Sequence, residues 1–131
     1  MPVETPLDLK KLFRSFGFAF IGIWKLVRSE QNARIHLLAT VLVVFAGFIM
    51  GLDRYEWIVI CIVVGMVWLA EACNTAIEKL VNLVSPERRP EAGTIKDIAA
   101  GGVLICAIIA LIVAVIIFIP KIITICESAG G

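Results

Sequence analysis

The stretch Ile98 to Ile119, IAAGGVLICAIIALIVAVIIFI, contains no charged side chain. A helix rises about 1.5 Å per residue and the hydrocarbon core of a bilayer is about 30 Å thick, so roughly 20 such residues cross it. This stretch has that length unaided. Two further apolar runs lie upstream, Leu37 to Leu52 (LLATVLVVFAGFIMGL) and Trp57 to Ala70, the second continuing in a helical pattern towards Val84. The first is short unless His36 and its flanks extend it. The second spans only if Glu71, Asn74 and Glu78 are admitted near one membrane face. None of the runs has a polar face wide enough to meet water, so all three read as membrane spans rather than helices of a soluble core. Composition agrees: 131 residues that are 60% hydrophobic and 18% charged exclude an ordinary water-soluble domain and a disordered tail. Twelve Lys and Arg against eleven Asp and Glu leave a formal charge of +1, which argues against a nucleic-acid partner held by electrostatics.

Ahead of the first span, Leu9, Leu12, Phe13, Phe16, Phe20, Ile23, Trp24 and Val27 recur at three- and four-residue intervals among Lys10, Lys11, Arg14, Lys25 and Arg28. A basic amphipathic helix of this kind lies in the plane of the interface with its cations towards the headgroups. The expected architecture is an all-α membrane protein of one domain, 1–131. It has a surface helix over 7–34 and transmembrane helices over about 35–52, 55–84 and 97–119. Between the last two, SPERRPEAGTIK (Ser85 to Lys96) carries Pro86, Pro90 and Gly93 and reads as the one substantial loop.

Lys10, Lys11, Arg14, Lys25, Arg28 and Arg34 precede the first span, and Lys79, Arg88, Arg89 and Lys96 surround that loop. The other ends hold only Arg54 and Lys121. By the positive-inside rule the N-terminus and the Ser85 to Lys96 loop are cytoplasmic, and the Asp53 to Glu56 turn and the tail lie outside. The first thirty residues contain no uninterrupted apolar stretch followed by a cleavage site, so no signal peptide is expected. Cys61, Cys73, Cys106 and Cys126 form no C-x-x-C pair and read as small hydrophobes.

With this topology, three polar groups reach the same membrane face: Glu30, Asn32 and Arg34; Glu71, Asn74, Thr75 and Glu78; and Lys96 with Asp97. At about 100° per residue, Glu71, Asn74 and Glu78 form one stripe on the second span. A charged side chain at a helix centre costs about 2.5 to 3.5 kcal/mol, and less near the interface, so such a stripe suggests use. Its bland alternative is helix association through interhelical hydrogen bonds. Hard carboxylate oxygens suit Mg²⁺ bridging to nucleotide phosphates, Lys96 suits a phosphate, and a remaining carboxylate can accept a proton from an alcohol. The chain has no G-x-x-x-x-G-K-[ST] and no G-x-G-x-x-G, so a nucleotide site would have to be built by the helices.

The string EACNTAIEKLVN (Glu71 to Asn82) followed by IKDIAAGGVLI (Ile95 to Ile105) resembles the prokaryotic diacylglycerol kinase family. Its pattern is E-x-x-N-[ST]-A-I-E and then K-D-x-A-A-x-x-V-L. Upstream, SFGFAFIGIWKLVRSEQNARIH (Ser15 to His36) is similar to the family's amphipathic helix and its acidic residue. The likeness covers roughly residues 10 to 120.

The resemblance implies a three-span homotrimer, with sites between subunits, that transfers the γ-phosphate of ATP to the hydroxyl of a membrane lipid, diacylglycerol or undecaprenol. It implies Glu71 as the general base and Glu30 and Glu78 as the carboxylates for Mg²⁺ and the ATP phosphates. Asn74, Lys96, Asp97 and Arg14 would complete the nucleotide site. Asp97 has a plainer alternative as the N-cap of the third span, and Lys96 as an interface anchor. Three departures from the pattern bear on the lipid. His36 stands where proteobacterial members are acidic, which looks more like the Gram-positive branch related to undecaprenol kinases. Asn82 replaces an acidic residue, and SPERRPEAGTIKD lacks a loop histidine. The rival reading is a non-enzymatic assembly or transport subunit, but transport calls for polar residues continuing to the outer face, and Trp57 to Ala70 and Leu104 to Ile119 supply none.

Overall fold

The computed structural model describes residues 6–131, and within them the chain is all-helical: α1 (Leu9–Ser29), α2 (Gln31–Met50), α3 (Arg54–Val84) and α4 (Pro90–Gly130). α2, α3 and α4 are each long and apolar enough to cross a membrane. The N-terminus of α1 is set by Asp8, whose carboxylate accepts from the backbone N–H groups of Lys10 and Lys11 at 3.0 and 3.2 Å. α1 and α2 are separated by a single extended residue, Glu30 (φ −108°, ψ 125°), whose N–H still donates to the carbonyl of Leu26. The first helix therefore stops five residues before the boundary expected at Arg34, and Asn32 and Arg34 belong to α2.

α2 ends at Gly51, which takes the left-handed conformation at φ +67° and lets Leu52 N–H close onto the carbonyl of Gly47. α3 opens with a capping box. Asp53 accepts from the Glu56 N–H at 2.9 Å, and the Glu56 carboxylate accepts from the Asp53 N–H at 2.9 Å. Gly47 and Gly51, spaced as a G-x-x-x-G, thus do different work. Gly51 turns the chain, whereas Gly47 admits the Trp57 ring, which would stand 2.8 Å from any Cβ placed there.

Pro90 occupies the first turn of α4, where its missing N–H would have no partner in any case, so it starts the helix instead of breaking it. The loop shrinks to Ser85–Arg89, Gly93 is helical, and Asp97 lies inside α4 rather than capping it. At its other end α4 continues through Pro120 to Gly130, and Lys121 Nζ sits 3.0 Å from the Glu56 carboxylate, tying α4 to the start of α3. The interior is thin. Leu52, Ile60 and Ile117 are buried with Trp57, Val64, Val113 and Phe118 packed around them, along the α3–α4 contact that dominates the chain.

Candidate functional site

The most enclosed large side chain lies towards the opposite end from that core. Glu71 is 2% exposed, and Asn74 and Thr75 beside it on α3 are also buried. Spacings of three and seven residues along α3 put Glu71, Asn74 and Glu78 on one face, and Asn74 Nδ2 donates to Glu78 Oε1 at 3.3 Å. From α2, His36 brings its Nε2 to 3.6 Å from Glu71 Oε2. That separation exceeds a hydrogen bond. His36 Nε2, Glu71 Oε2, Asn74 Oδ1 and Thr75 Oγ1 are all buried with no hydrogen-bond partner among the described residues.

A buried polar atom left unsatisfied costs about 1 to 3 kcal/mol, and more for a charged group, so those of His36, Glu71 and Asn74 together mark a candidate site. A cavity of about 250 Å³ opens there between α2, α3 and α4, lined by Asn32, His36, Glu71 and Asn74 on its polar side and by residues such as Ala100 and Leu104 on the other. A second, apolar cavity of about 240 Å³ shares His36 and Ala107 with the first and runs on along Ala39, Val43, Val64 and Ala114. His36 stands at the junction. Its backbone is held by a short relay, in which Trp68 Nε1 donates to Thr40 Oγ1 at 3.0 Å and Thr40 Oγ1 donates to the His36 carbonyl at 2.7 Å.

The remaining expected site residues divide. Glu30, at the α1–α2 junction, accepts from Ser29 Oγ at 3.0 Å and lies 3.4 Å from Lys79 Nζ, one residue after Glu78. Glu30 and Glu78 therefore belong to the same end of the molecule. Seven residues of helix separate Glu78 from Glu71, a rise of about 10 Å. Lys96 donates to Asn82 Oδ1 on α3, and Asp97 is exposed on α4; neither lines the Glu71 cavity of its own chain. Arg14 is exposed on α1, sixteen residues and so about 24 Å of helix before Glu30.

For Mg²⁺ the donor set fits, though not as a closed cage. No group of three or more His, Cys, Asp or Glu side chains is gathered for a metal among the described residues. Mg²⁺ commonly keeps several waters and takes one or two carboxylates plus substrate phosphates, which two glutamates at one end can supply.

In the sequence His36 stands out only as a departure from the family pattern. Nothing along the chain announces its contact with Glu71, because the two are brought together only by the packing of α2 on α3.

Three apolar helices around a buried carboxylate and amide define a polytopic membrane protein with a polar pocket between its spans. Residues 17–118 match the family described as prokaryotic diacylglycerol kinase. An undecaprenol kinase of Bacillus subtilis (strain 168) is 39% identical over 114 residues, covering 87% of this chain and 93% of that protein. A diacylglycerol kinase of Synechocystis is 32% identical over 114 residues, covering 86% of this chain and 65% of that protein. A diacylglycerol kinase of Sinorhizobium is 30% identical over 109 residues, covering 83% and 78%. The chain belongs to the prokaryotic diacylglycerol kinase family and is a membrane lipid kinase.

Proposed function

We propose that the chain transfers the γ-phosphate of ATP to the hydroxyl of a single-chain polyprenol, with Glu71 as the general base. The observation that carries this reading is the buried Glu71 carboxylate, with Oε2 unpartnered on the wall of a cavity that continues into an apolar one. A single long isoprenoid tail suits that continuation better than the paired tails of diacylglycerol. The 39% identity to an undecaprenol kinase points the same way.

Glu71 orients the lipid hydroxyl and takes its proton as the bond to phosphorus forms. Asn74, with its amide oxygen unpartnered and its nitrogen on Glu78, fixes the Glu78 carboxylate. Glu30 and Glu78 would hold Mg²⁺, which when bound neutralises charge on the ATP phosphates. Phosphoryl transfer has a loose transition state, so positioning and charge neutralisation supply most of the acceleration.

Lys96, Asp97 and Arg14 lie away from the Glu71 cavity within one chain, which supports a homotrimer in which a neighbouring subunit brings them to the nucleotide. α1 lies along the cytoplasmic face of the inner membrane with its basic residues towards headgroups, and the N-terminus and the α3–α4 loop share that side.

Purified protein is incubated with labelled ATP and either undecaprenol or diacylglycerol in mixed micelles. Phosphorylation of the polyprenol with the higher kcat/KM is the expected result. Preference for diacylglycerol would overturn the lipid assignment, and phosphorylation of neither would overturn the proposed reaction.

A further inference from the structure

His36 is the polar residue nearest the Glu71 carboxylate that the proposed reaction has not used. Its Nε2 and Glu71 Oε2 are 3.6 Å apart, both buried, and both lack a partner among the described residues. They are too far apart to bond each other, yet one oxygen placed at about 2.8 Å from each completes both, which is ordinary hydrogen-bond geometry. His36 also lines both the polar cavity and its apolar continuation, so a lipid whose tail lies in the second must bring its headgroup past the imidazole to reach Glu71.

We infer that His36 touches the substrate: its Nε2–H donates to the lipid hydroxyl oxygen and holds that oxygen against Glu71. This deepens the proposed function and rests on it. The oxygen has two lone pairs and one proton. One lone pair accepts from His36, the proton points to Glu71 Oε2, and the second lone pair is left facing the γ-phosphorus of ATP. In the transfer, an O–P bond forms to the lipid and the bond from the γ-phosphorus to the β,γ-bridging oxygen breaks. Its electron pair leaves with ADP, and the hydroxyl proton goes to Glu71. The Trp68–Thr40 relay onto the His36 carbonyl keeps the imidazole at this station by fixing the turn of α2 that carries it. The residue thereby orients the nucleophile without taking part in the proton transfer.

The experiment compares full-length wild type with His36→Gln, which retains an N–H donor at similar reach, and His36→Leu, which keeps bulk and loses the donor. Each is assayed in mixed micelles with undecaprenol and labelled ATP, and helicity and size are checked by circular dichroism and gel filtration. The expected result for His36→Leu is a fall in kcat of about 10- to 100-fold, the scale of a misplaced reacting group, with KM for ATP unchanged. His36→Gln is expected to recover at least half of that loss on a logarithmic scale. A folded His36→Leu enzyme with wild-type kcat would overturn the inference while leaving the lipid kinase reading intact. So would an equal loss in His36→Gln and His36→Leu. Failure of the wild type to phosphorylate any lipid alcohol would overturn both.

Discussion

Glu71 and Glu78 share a helix face and are separated by two turns, and the difference in their surroundings supports the different work proposed for them. Glu71 is sealed among α2, α3 and α4 with one oxygen unpartnered, whereas Glu78 is half-buried and engaged by Asn74. Glu71→Gln keeps shape and hydrogen-bonding capacity but cannot take a proton. It is expected to lower turnover by about 10²- to 10⁴-fold while leaving the fold and KM for ATP unchanged, read by steady-state kinetics and circular dichroism. Turnover at the wild-type rate would remove Glu71 from the base role. Glu78→Gln is expected to act on nucleotide binding, raising KM for Mg-ATP by about tenfold, and an unchanged nucleotide affinity would count against a metal role. At this scale the α3 stripe was legible, because a helical period is enough to place Glu71, Asn74 and Glu78 together. The contact with His36 was not, since it joins residues thirty-five positions apart across two helices.

At the scale of elements, the three spans follow from apolar length alone, and the misreadings fall at their ends. Pro90 and Gly93 were read as breakers because composition marks them so. The fold uses Pro90 where a first-turn proline costs no hydrogen bond, and the same early start removes Asp97 from a capping position. The stop at Glu30 has no proline or glycine to announce it. Gly47 and Gly51, four residues apart, look alike in sequence, and only the structure separates the turn from the close contact. Gly47→Ala is expected to destabilise the helix packing by about 1 to 3 kcal/mol, because the added methyl meets the Trp57 ring. Pairing it with Trp57→Leu, which removes that ring, should recover part of the loss. Unfolding in detergent followed across this double-mutant cycle measures the coupling, and strictly additive effects would show that the ring is not what the methyl meets.

On the scale of the molecule, the single chain exposes 10273 Å², whereas a compact monomer of its 14.3 kDa exposes about 6,800 Å². Phe45, Phe48, Leu69, Ile98 and Leu111 are all exposed, an apolar surface suited to lipid or to the proposed homotrimer contacts. Co-assembly of Glu71→Gln chains with Lys96→Ala chains tests whether the proposed site is shared. Mixed oligomers are expected to regain activity that neither parent has, and activity no higher than the parents would speak against intersubunit sites.

The one-residue junction at Glu30 has a mechanical meaning. With a single extended residue between them, α1 and α2 are leashed at about 3.5 Å, too short for either to shift without dragging the other. The carboxylate assigned to the ion sits on that leash. If α1 lies on the bilayer surface as proposed, the height of that carboxylate is referenced to the surface as much as to the bundle beneath, and a thinner or thicker membrane would retune the enzyme by moving one glutamate.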